Sequence, residues 1–261
     1  MSFQFSLAAC AEMLWLDKPI DWRASRLKEL GFGVGLWNWP EHDMKALEKT
    51  GADFTIMNGY LEGSLADDAG ADTLLTSAKE TIQIGKQLNV KRLNLHGTGL
   101  GEGGIPILQI DKTTEVMRQK ALDTLHRICD LAATENVVFT LENLNLLDHP
   151  GCPFSSTADV LSLVSTVNRS ELRINLDLYH TQIGEGDLIR WAQKCCDWIG
   201  EVQVADNPGR CEPGTGEINY APIARALFDM GYRGPVALEA FAQDKPEDAL
   251  SAFRDAFTLK T

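Results

Sequence analysis

The sequence predicts an α/β fold, a single (β/α)8 barrel that extends over residues 1–261 as one domain. Short apolar runs of strand length alternate eight times with segments of helical periodicity. The length is close to the roughly 250 residues that one such barrel needs, and 44% hydrophobic residues are enough for its core. Strict alternation of strand and helix favours parallel strands with helices packed outside them.

The first four units each combine an apolar run with a helical segment. Gly31 and Gly51 lie just past the first two predicted helices, where glycine is favoured because it adopts a left-handed conformation at little cost. In the third unit, Leu74, Ala78 and Ile82 recur at helical spacing. The predicted elements, in chain order, are strand 3–9, helix 22–30, strand 33–37, helix 42–49, strand 54–58, helix 73–88, strand 90–96 and helix 114–134.

The last four units follow the same pattern. Gly231 ends the seventh predicted helix, and Pro246 begins the eighth, where its fixed φ angle suits a first helical turn. The predicted elements are strand 137–142, helix 158–167, strand 172–177, helix 188–199, strand 201–205, helix 220–230, strand 235–239 and helix 246–257.

A doubly wound open sheet is the alternative fold. Such a sheet usually carries a GxGxxG phosphate-binding turn after a strand. The glycine-rich stretch at 97–104 follows the fourth predicted strand, but it lacks that spacing and lies in a long loop. The closed barrel is therefore favoured.

The composition disfavours two classes of partner. With 24 basic and 37 acidic residues the net charge is −13, whereas a nucleic-acid-binding protein would need a basic face. No apolar run approaches the roughly 20 residues that span a bilayer, so no membrane partner is expected. The start of the chain lacks a basic region and resembles a first strand rather than a signal peptide, which favours a cytoplasmic location.

Four oxygen donors lie at or near the ends of four consecutive predicted strands: Glu142, Asp177, Gln203 and Glu239. A (β/α)8 barrel collects its active-site residues at the carboxyl ends of its strands, so these side chains are expected to converge. Carboxylate and amide oxygens are the ligands that Mg²⁺ or Mn²⁺ prefers. The alternative is that they are ordinary residues at strand ends, but four such donors in successive units favour a metal site.

Three segments resemble hydroxypyruvate isomerases of the xylose-isomerase-like barrel superfamily. Residues 142–151 match the pattern Glu-x-x-Asn-x-x-Asp-x-Pro-Gly, and residues 176–180 match the sixth strand of those enzymes. Residues 210–220, which contain the run Glu-Pro-Gly-Thr-Gly-Glu-Ile, match their loop after strand seven. The resemblance covers most of the chain and is densest between residues 137 and 241.

The resemblance implies an isomerase that binds Mg²⁺ or Mn²⁺ through Glu142, Asp177, Gln203 and Glu239. The ion would bind a small hydroxy-carbonyl substrate and, as a Lewis acid, favour an enediolate. Glu142 and Glu239 would move the proton between neighbouring carbons. Ketose 3-epimerases of this superfamily usually have histidine where this chain has Gln203, which favours the hydroxypyruvate branch.

Four further residues are candidate substrate-binding groups. Arg210 is suited to a substrate carboxylate because its guanidinium can form two charge-assisted bonds. His180 lies three residues beyond Asp177, and His96 ends the fourth predicted strand. Asp148 is a candidate for orienting a substrate hydroxyl. Structural roles remain open for each: a core histidine, a surface arginine or a turn-stabilising aspartate.

The leading function is the interconversion of hydroxypyruvate and tartronate semialdehyde, with a small hydroxy-oxo acid as the molecular partner. A 2-oxo-tetronate isomerase is the nearest alternative, followed by a ketose 3-epimerase and by a binding protein without turnover. Leu146 and Leu147 stand where many relatives carry polar residues, often Thr-Arg, and a missing polar wall there would change which end of the substrate is recognised. Relatives often form homo-oligomers, so self-association is expected.

Overall fold

The computed structural model describes residues 5–259. Eight parallel strands pair in chain order, and the eighth pairs with the first, so the predicted closed (β/α)8 barrel is confirmed. That residues 1–261 form one domain stays a prediction. The strands are β1 (Ser6–Cys10), β2 (Gly33–Leu36), β3 (Phe54–Asn58), β4 (Arg92–Leu95), β5 (Val138–Glu142), β6 (Leu172–Asp177), β7 (Ile199–Val204) and β8 (Pro235–Leu238).

Helices surround the barrel and bury one apolar face each against the strands. Within residues 5–259, no helix is long and apolar enough to cross a bilayer. The helices are α1 (Ile20–Glu29), α2 (Met44–Thr50), α3 (Asp68–Gln87), α4 (Glu115–Glu135), α5 (Thr157–Val167), α6 (Leu178–Gly184), α7 (Leu188–Cys195), α8 (Tyr220–Asp229) and α9 (Pro246–Ala256).

Several predicted boundaries were wrong for identifiable reasons. α3 begins five residues earlier than predicted because the Asp67 side chain caps it, accepting a hydrogen bond from Gly70 N at 2.8 Å. The predicted helix 188–199 ends at Cys195, and Ile199 already belongs to β7, so this strand starts before the predicted position 201. The predicted first strand began at residue 3; residues 3 and 4 lie outside the described residues.

The sequence prediction missed α6, which begins directly after β6 without a loop. Asp177 is both the last residue of β6 and the N-cap of α6, and its Oδ1 accepts a hydrogen bond from His180 N at 3.0 Å. This cap satisfies a backbone donor at the start of the helix. The strand-to-helix junction therefore sets the position of His180 relative to Asp177.

The inside of the barrel carries several polar side chains. Near its floor, Arg92 Nε lies 3.3 Å from Glu201 Oε2. One layer higher, the Asn94 Oδ1 atom accepts hydrogen bonds from Thr140 Oγ1 at 3.0 Å and from Asn175 Nδ2 at 3.1 Å. Buried polar groups need such partners because desolvation is costly without them. These layers support the polar groups at the carboxyl ends of the strands.

Candidate active site

The four oxygen donors predicted from the sequence lie at the same end of the barrel. Glu142 and Asp177 are the last residues of β5 and β6, and Glu239 directly follows β8. Gln203 is the penultimate residue of β7, paired in register with Asp177 on one side and Ala237 on the other. Glu142, Gln203 and Glu239 line one cavity of about 1020 Å³. Asp177 is not among the residues that line this cavity and is only 1% exposed.

Three carboxyl groups are buried close together in this region. Burial, and then the charge of Asp177, raise the pKa of Glu142 to about 8. Burial, and then the charge of Glu142, raise the pKa of Glu239 well above its ordinary value. Burial likewise raises the pKa of Asp177, although Arg210 opposes the shift. Such mutual repulsion is what a bound divalent cation relieves.

One ligand atom each of Glu142, Asp177 and His180 lies within 4.8 Å of the other two. This buried group could hold a divalent metal ion, and the hard oxygen donors of Gln203 and Glu239 lie in the same cavity. Glu239 Oε2 is buried and has no hydrogen-bond partner. This buried oxygen lies 3.5 Å from the Arg210 guanidinium without a hydrogen bond to it, and an incompletely satisfied oxygen of this kind fits a role as metal ligand or base.

Two asparagines that sequence reasoning missed orient these donors. Asn175 Nδ2 lies 2.8 Å from Gln203 Oε1 and 3.2 Å from Glu142 Oε2. The amide of Asn94 also donates to Glu142 Oε2. The available signal was their spacing, because Asn175 and Asn94 precede Asp177 and His96 by two residues and so share the inward face of their strands.

His180 is buried, and its hydrogen bonds indicate which ring nitrogen carries the proton. Asn145 Oδ1 accepts from the backbone of Leu147 and Asp148, so its Nδ2 donates to His180 Nδ1 at 2.7 Å. Burial, followed by the Arg210 charge, lowers the pKa of His180 well below its usual value. The neutral ring therefore carries its proton on Nε2, 3.8 Å from Asp177 Oδ2. An N–H in this position suits donation to an oxygen better than ligation of a metal.

Arg210 reaches the cavity from the loop between β7 and α8. Its Nη2 lies 3.5 Å from Glu239 Oε2 and 3.5 Å from His180 Nε2, and its guanidinium packs 5.0 Å from the centre of the Tyr179 ring. Burial tends to lower the pKa of Arg210, but Glu239 and Asp177 outweigh it and the pKa is raised. The cation is therefore permanently charged beside the carboxylates. Tyr179 was not among the predicted site residues.

The remaining two predicted residues also line the cavity. His96 Nε2 lies 3.2 Å from Glu142 Oε2, and burial lowers the pKa of His96 to about 4, helped by the Arg210 charge. Asp148 Oδ2 accepts from Tyr179 Oη at 3.0 Å and from Asn145 Nδ2 at 2.9 Å. All eight predicted site residues thus lie at one end of the barrel, whereas Leu146 and Leu147 are 59% and 78% exposed and do not line the cavity.

The loop that carries Arg210 is organised by Asp206, a fully buried residue. Asp206 Oδ1 accepts from the backbone N–H groups of Asn207 at 3.0 Å and Ile218 at 2.9 Å. Its Oδ2 accepts from Gly214 N at 2.9 Å. Arg210 itself has a φ of +50°, a left-handed conformation that needs support from its surroundings.

Replacing Asp206 with alanine is expected to lower the free energy of unfolding by roughly 2 to 4 kcal/mol, because three backbone donors lose their acceptor. Denaturant unfolding monitored by circular dichroism measures this change. Asp206→Asn is the matched control, since the carbonyl oxygen of the asparagine side chain can still accept two of the three hydrogen bonds. Its free energy of unfolding should fall clearly less than that of the alanine variant. A loss below about 0.5 kcal/mol for the alanine variant would contradict the assigned role.

Comparison with known proteins agrees with this architecture. Residues 27–257 match the family model described as xylose isomerase-like TIM barrel. The hydroxypyruvate isomerase of Escherichia coli strain K12 is 33% identical over 138 residues, which are 53% of this chain and 54% of that protein. The 2-oxo-tetronate isomerase of Pectobacterium atrosepticum is 31% identical over 136 residues, 52% of each chain. These matches span about half the length of the two relatives.

Among solved structures, the AP endonuclease, family 2, from Brucella melitensis superposes with a TM-score of 0.83 at 25% identity, covering 95% of this chain and 98% of that chain. Its barrel and the present one therefore share their fold nearly from end to end. The relatives named hydroxypyruvate isomerase confirm the resemblance inferred from residues 142–151, 176–180 and 210–220.

Proposed function

Because the chain belongs to the xylose isomerase-like TIM barrel family, we propose that it is an isomerase of small hydroxy-oxo acids that uses a divalent metal. The observation that carries this proposal is the pair of buried carboxyl groups, Glu142 and Glu239, in one cavity with Arg210. An acid–base pair and a fixed guanidinium are what proton transfer on a small carboxylic acid requires.

The metal would be held by Glu142, Asp177, Gln203 and Glu239, and their hard oxygen donors suit Mg²⁺ or Mn²⁺. The repulsion among the three buried carboxyl groups and the lack of a hydrogen bond at Glu239 Oε2 support this assignment. When bound, the ion supplies Lewis acidity to the carbonyl and hydroxyl oxygens of the substrate.

The side chains of this chain would handle the proton and the substrate. One of Glu142 and Glu239 removes the proton from the carbon that carries the hydroxyl, giving an enediolate, and the other returns a proton to the neighbouring carbon, while the hydroxyl proton passes to the former carbonyl oxygen. The guanidinium of Arg210 binds the carboxylate of the acid. His180 donates a hydrogen bond from its Nε2–H to a substrate oxygen, and Asn175 keeps Gln203 and Glu142 oriented. His96 and Asp148 bind or position substrate at the cavity wall.

The leading reaction is hydroxypyruvate to tartronate semialdehyde, and the isomerisation of 2-oxo-tetronate uses the same groups. Both activities are named for relatives that are about one-third identical in their matched regions. A ketose 3-epimerase has less use for Arg210, because a neutral sugar offers no carboxylate. We further propose a cytoplasmic enzyme that forms homo-oligomers and does not bind nucleic acid, given its net charge of −13.

A substrate panel in D₂O tests the proposal. The purified protein, with Mg²⁺ or Mn²⁺ added, is expected to isomerise three- or four-carbon hydroxy-oxo acids and to incorporate deuterium at the exchanging carbon. D-Fructose and D-tagatose serve as controls and should be turned over at least about 100-fold less efficiently. Neither turnover nor exchange with any acid would favour a binding protein, and preferred turnover of the ketoses would favour an epimerase.

A further inference from the structure

The candidate active-site cavity has two unlike walls. The charged groups described above come from the side of β5 to β8 and their loops. The opposite wall, here called the distal wall, is formed by Gly35, Trp37, Ile56, Asn58 and Leu61 of β2, β3 and the loops that follow them. Trp37 and Leu61 are 38% and 37% exposed, so apolar surface is available for contact with a bound molecule.

The base of the cavity beside the distal wall is formed by small residues. A Cβ atom placed on Gly35 would lie 3.5 Å from Ile56 Cγ2, in ordinary contact and without a clash. The neighbouring strands β1 and β8 contribute Cys10 and Ala237 to the same cavity. The cavity volume of about 1020 Å³ is at the upper end of what drug-sized ligands occupy, roughly 300 to 1000 Å³. A three-carbon acid bound at Arg210 therefore leaves most of the cavity unfilled.

Asn58 is the polar group on the distal wall whose hydrogen bonding is incomplete. It is the last residue of β3, and it pairs in register with Asn94. Its Oδ1 atom is buried and has no hydrogen-bond partner. A buried acceptor without a donor is unfavourable, so a ligand that supplies a hydroxyl proton would be selected.

The charges of the cavity limit what the distal wall can accept. Among the described lining residues, Arg210 is the only lysine or arginine, and it already contacts Glu239. A phosphate or second carboxylate on the distal side would be buried without a cation, which is costly. A hydroxylated carbon chain carries no charge and avoids this cost, and its C–H groups can pack on Ile56 and Leu61.

We propose that the distal wall binds the uncharged, hydroxylated tail of a hydroxy-oxo acid with four or more carbons, and that a tail hydroxyl donates to Asn58 Oδ1. This inference rests on the proposed function and deepens it. It extends the substrate class from hydroxypyruvate to longer sugar acids and excludes phosphorylated ones. Asn58 is then a residue that determines specificity, distinct from the groups that move the proton.

Matched ligands that differ in one hydroxyl test the inference. For the four-carbon and five-carbon 2-oxo acids, each acid is compared with its terminal deoxy counterpart in the metal-loaded protein. At least one hydroxylated acid is expected to exceed its deoxy counterpart about tenfold or more in kcat/KM, since a site built for a hydroxyl rejects an analogue that lacks it. In Asn58→Leu this ratio should fall to within about threefold of one.

Thr55→Val provides the matched control, because Thr55 is a buried polar residue of the same strand that does not line the cavity. This variant should keep the wild-type ratio. The terminal phosphate of the four-carbon acid should bind at least about tenfold more weakly than the acid itself. Ratios near one for both ligand pairs in the wild-type protein, or equal ratios in wild type and Asn58→Leu, overturn the inference.

Affinities measured by titration calorimetry on the same ligand pairs separate this inference from the proposed function. If no acid is turned over, the proposed isomerase activity is rejected. The ratio of the affinity for the hydroxylated acid to that for its deoxy counterpart still tests the role of Asn58. If Asn58→Leu does not fold, as judged by circular dichroism, the hydroxyl-to-deoxy ratio of the wild-type protein decides alone.

Discussion

Glu239→Gln is expected to lower kcat for the best hydroxy-oxo acid about 10³- to 10⁴-fold while the protein stays folded, and Glu142→Gln is expected to do the same. Each substitution removes a proton-transfer group and a metal ligand but keeps the side-chain shape. Folding should survive because burial already raises the pKa of both carboxyl groups, so their neutral forms fit this environment. Steady-state kinetics together with thermal unfolding measure both effects.

The barrel offers a matched control for these variants in Glu201. This glutamate is also fully buried inside the barrel, but it pairs with Arg92 and does not line the cavity. Glu201→Gln is expected to keep turnover within about threefold of wild type. Near-wild-type turnover in Glu142→Gln or Glu239→Gln would reject the two-carboxylate scheme, and an equal loss in all three variants would indicate general damage to the barrel.

Proton exchange in D₂O separates the roles of the two carboxylates. If one removes the proton and the other returns it, one of the two glutamine variants should still exchange the substrate proton with solvent without net isomerisation. Nuclear magnetic resonance of the recovered substrate detects this partial reaction. Complete absence of exchange in both variants, with metal still bound, would mean that the two groups do not act in sequence.

Removal of divalent metal is expected to abolish turnover, and the affinity for added metal should rise with pH. The pKa of Glu142 is about 8 in the metal-free protein, so below this pH a bound metal must displace a proton. Apparent affinity should therefore increase about tenfold per pH unit for each proton that the metal displaces, and Glu142 contributes one such proton up to about pH 8. Titration calorimetry in buffers with different ionisation enthalpies measures both affinity and proton release.

The same pKa shift predicts how the stability of the metal-free protein depends on pH. The folded protein holds the Glu142 proton up to pH of about 8, whereas the unfolded chain loses it near 4.5. The folded state thus binds more protons in this window, and stability should fall as the pH rises through it. Bound metal should remove this fall. Constant metal affinity across pH 6 to 8, together with pH-independent stability, would contradict burial of the carboxyl group.

Part of the site could be predicted because strand periodicity and barrel geometry are local rules. A strand of five or six residues that ends in Glu142 or Asp177 indicates which end of the barrel receives the carboxylate, whatever its neighbours are. The importance of Arg210 came from resemblance to a family, since its loop has no periodicity. The boundary between α7 and β7 was misplaced because an amphipathic pattern continues through Trp198 into the strand.

The sequence by itself determined the barrel, the end at which its chemistry collects and the donors that end its strands, because alternation of apolar and polar residues specifies which side chains face inward. Only the tertiary structure decided how those side chains meet. Asn175 contacts Asn94 across 81 positions, and Asn145 orients His180 across 35. Likewise, the unpaired oxygen of Asn58 became visible only when its neighbours were known. Hydrogen bonds of this kind depend on directions and distances between separate strands, which no local pattern encodes.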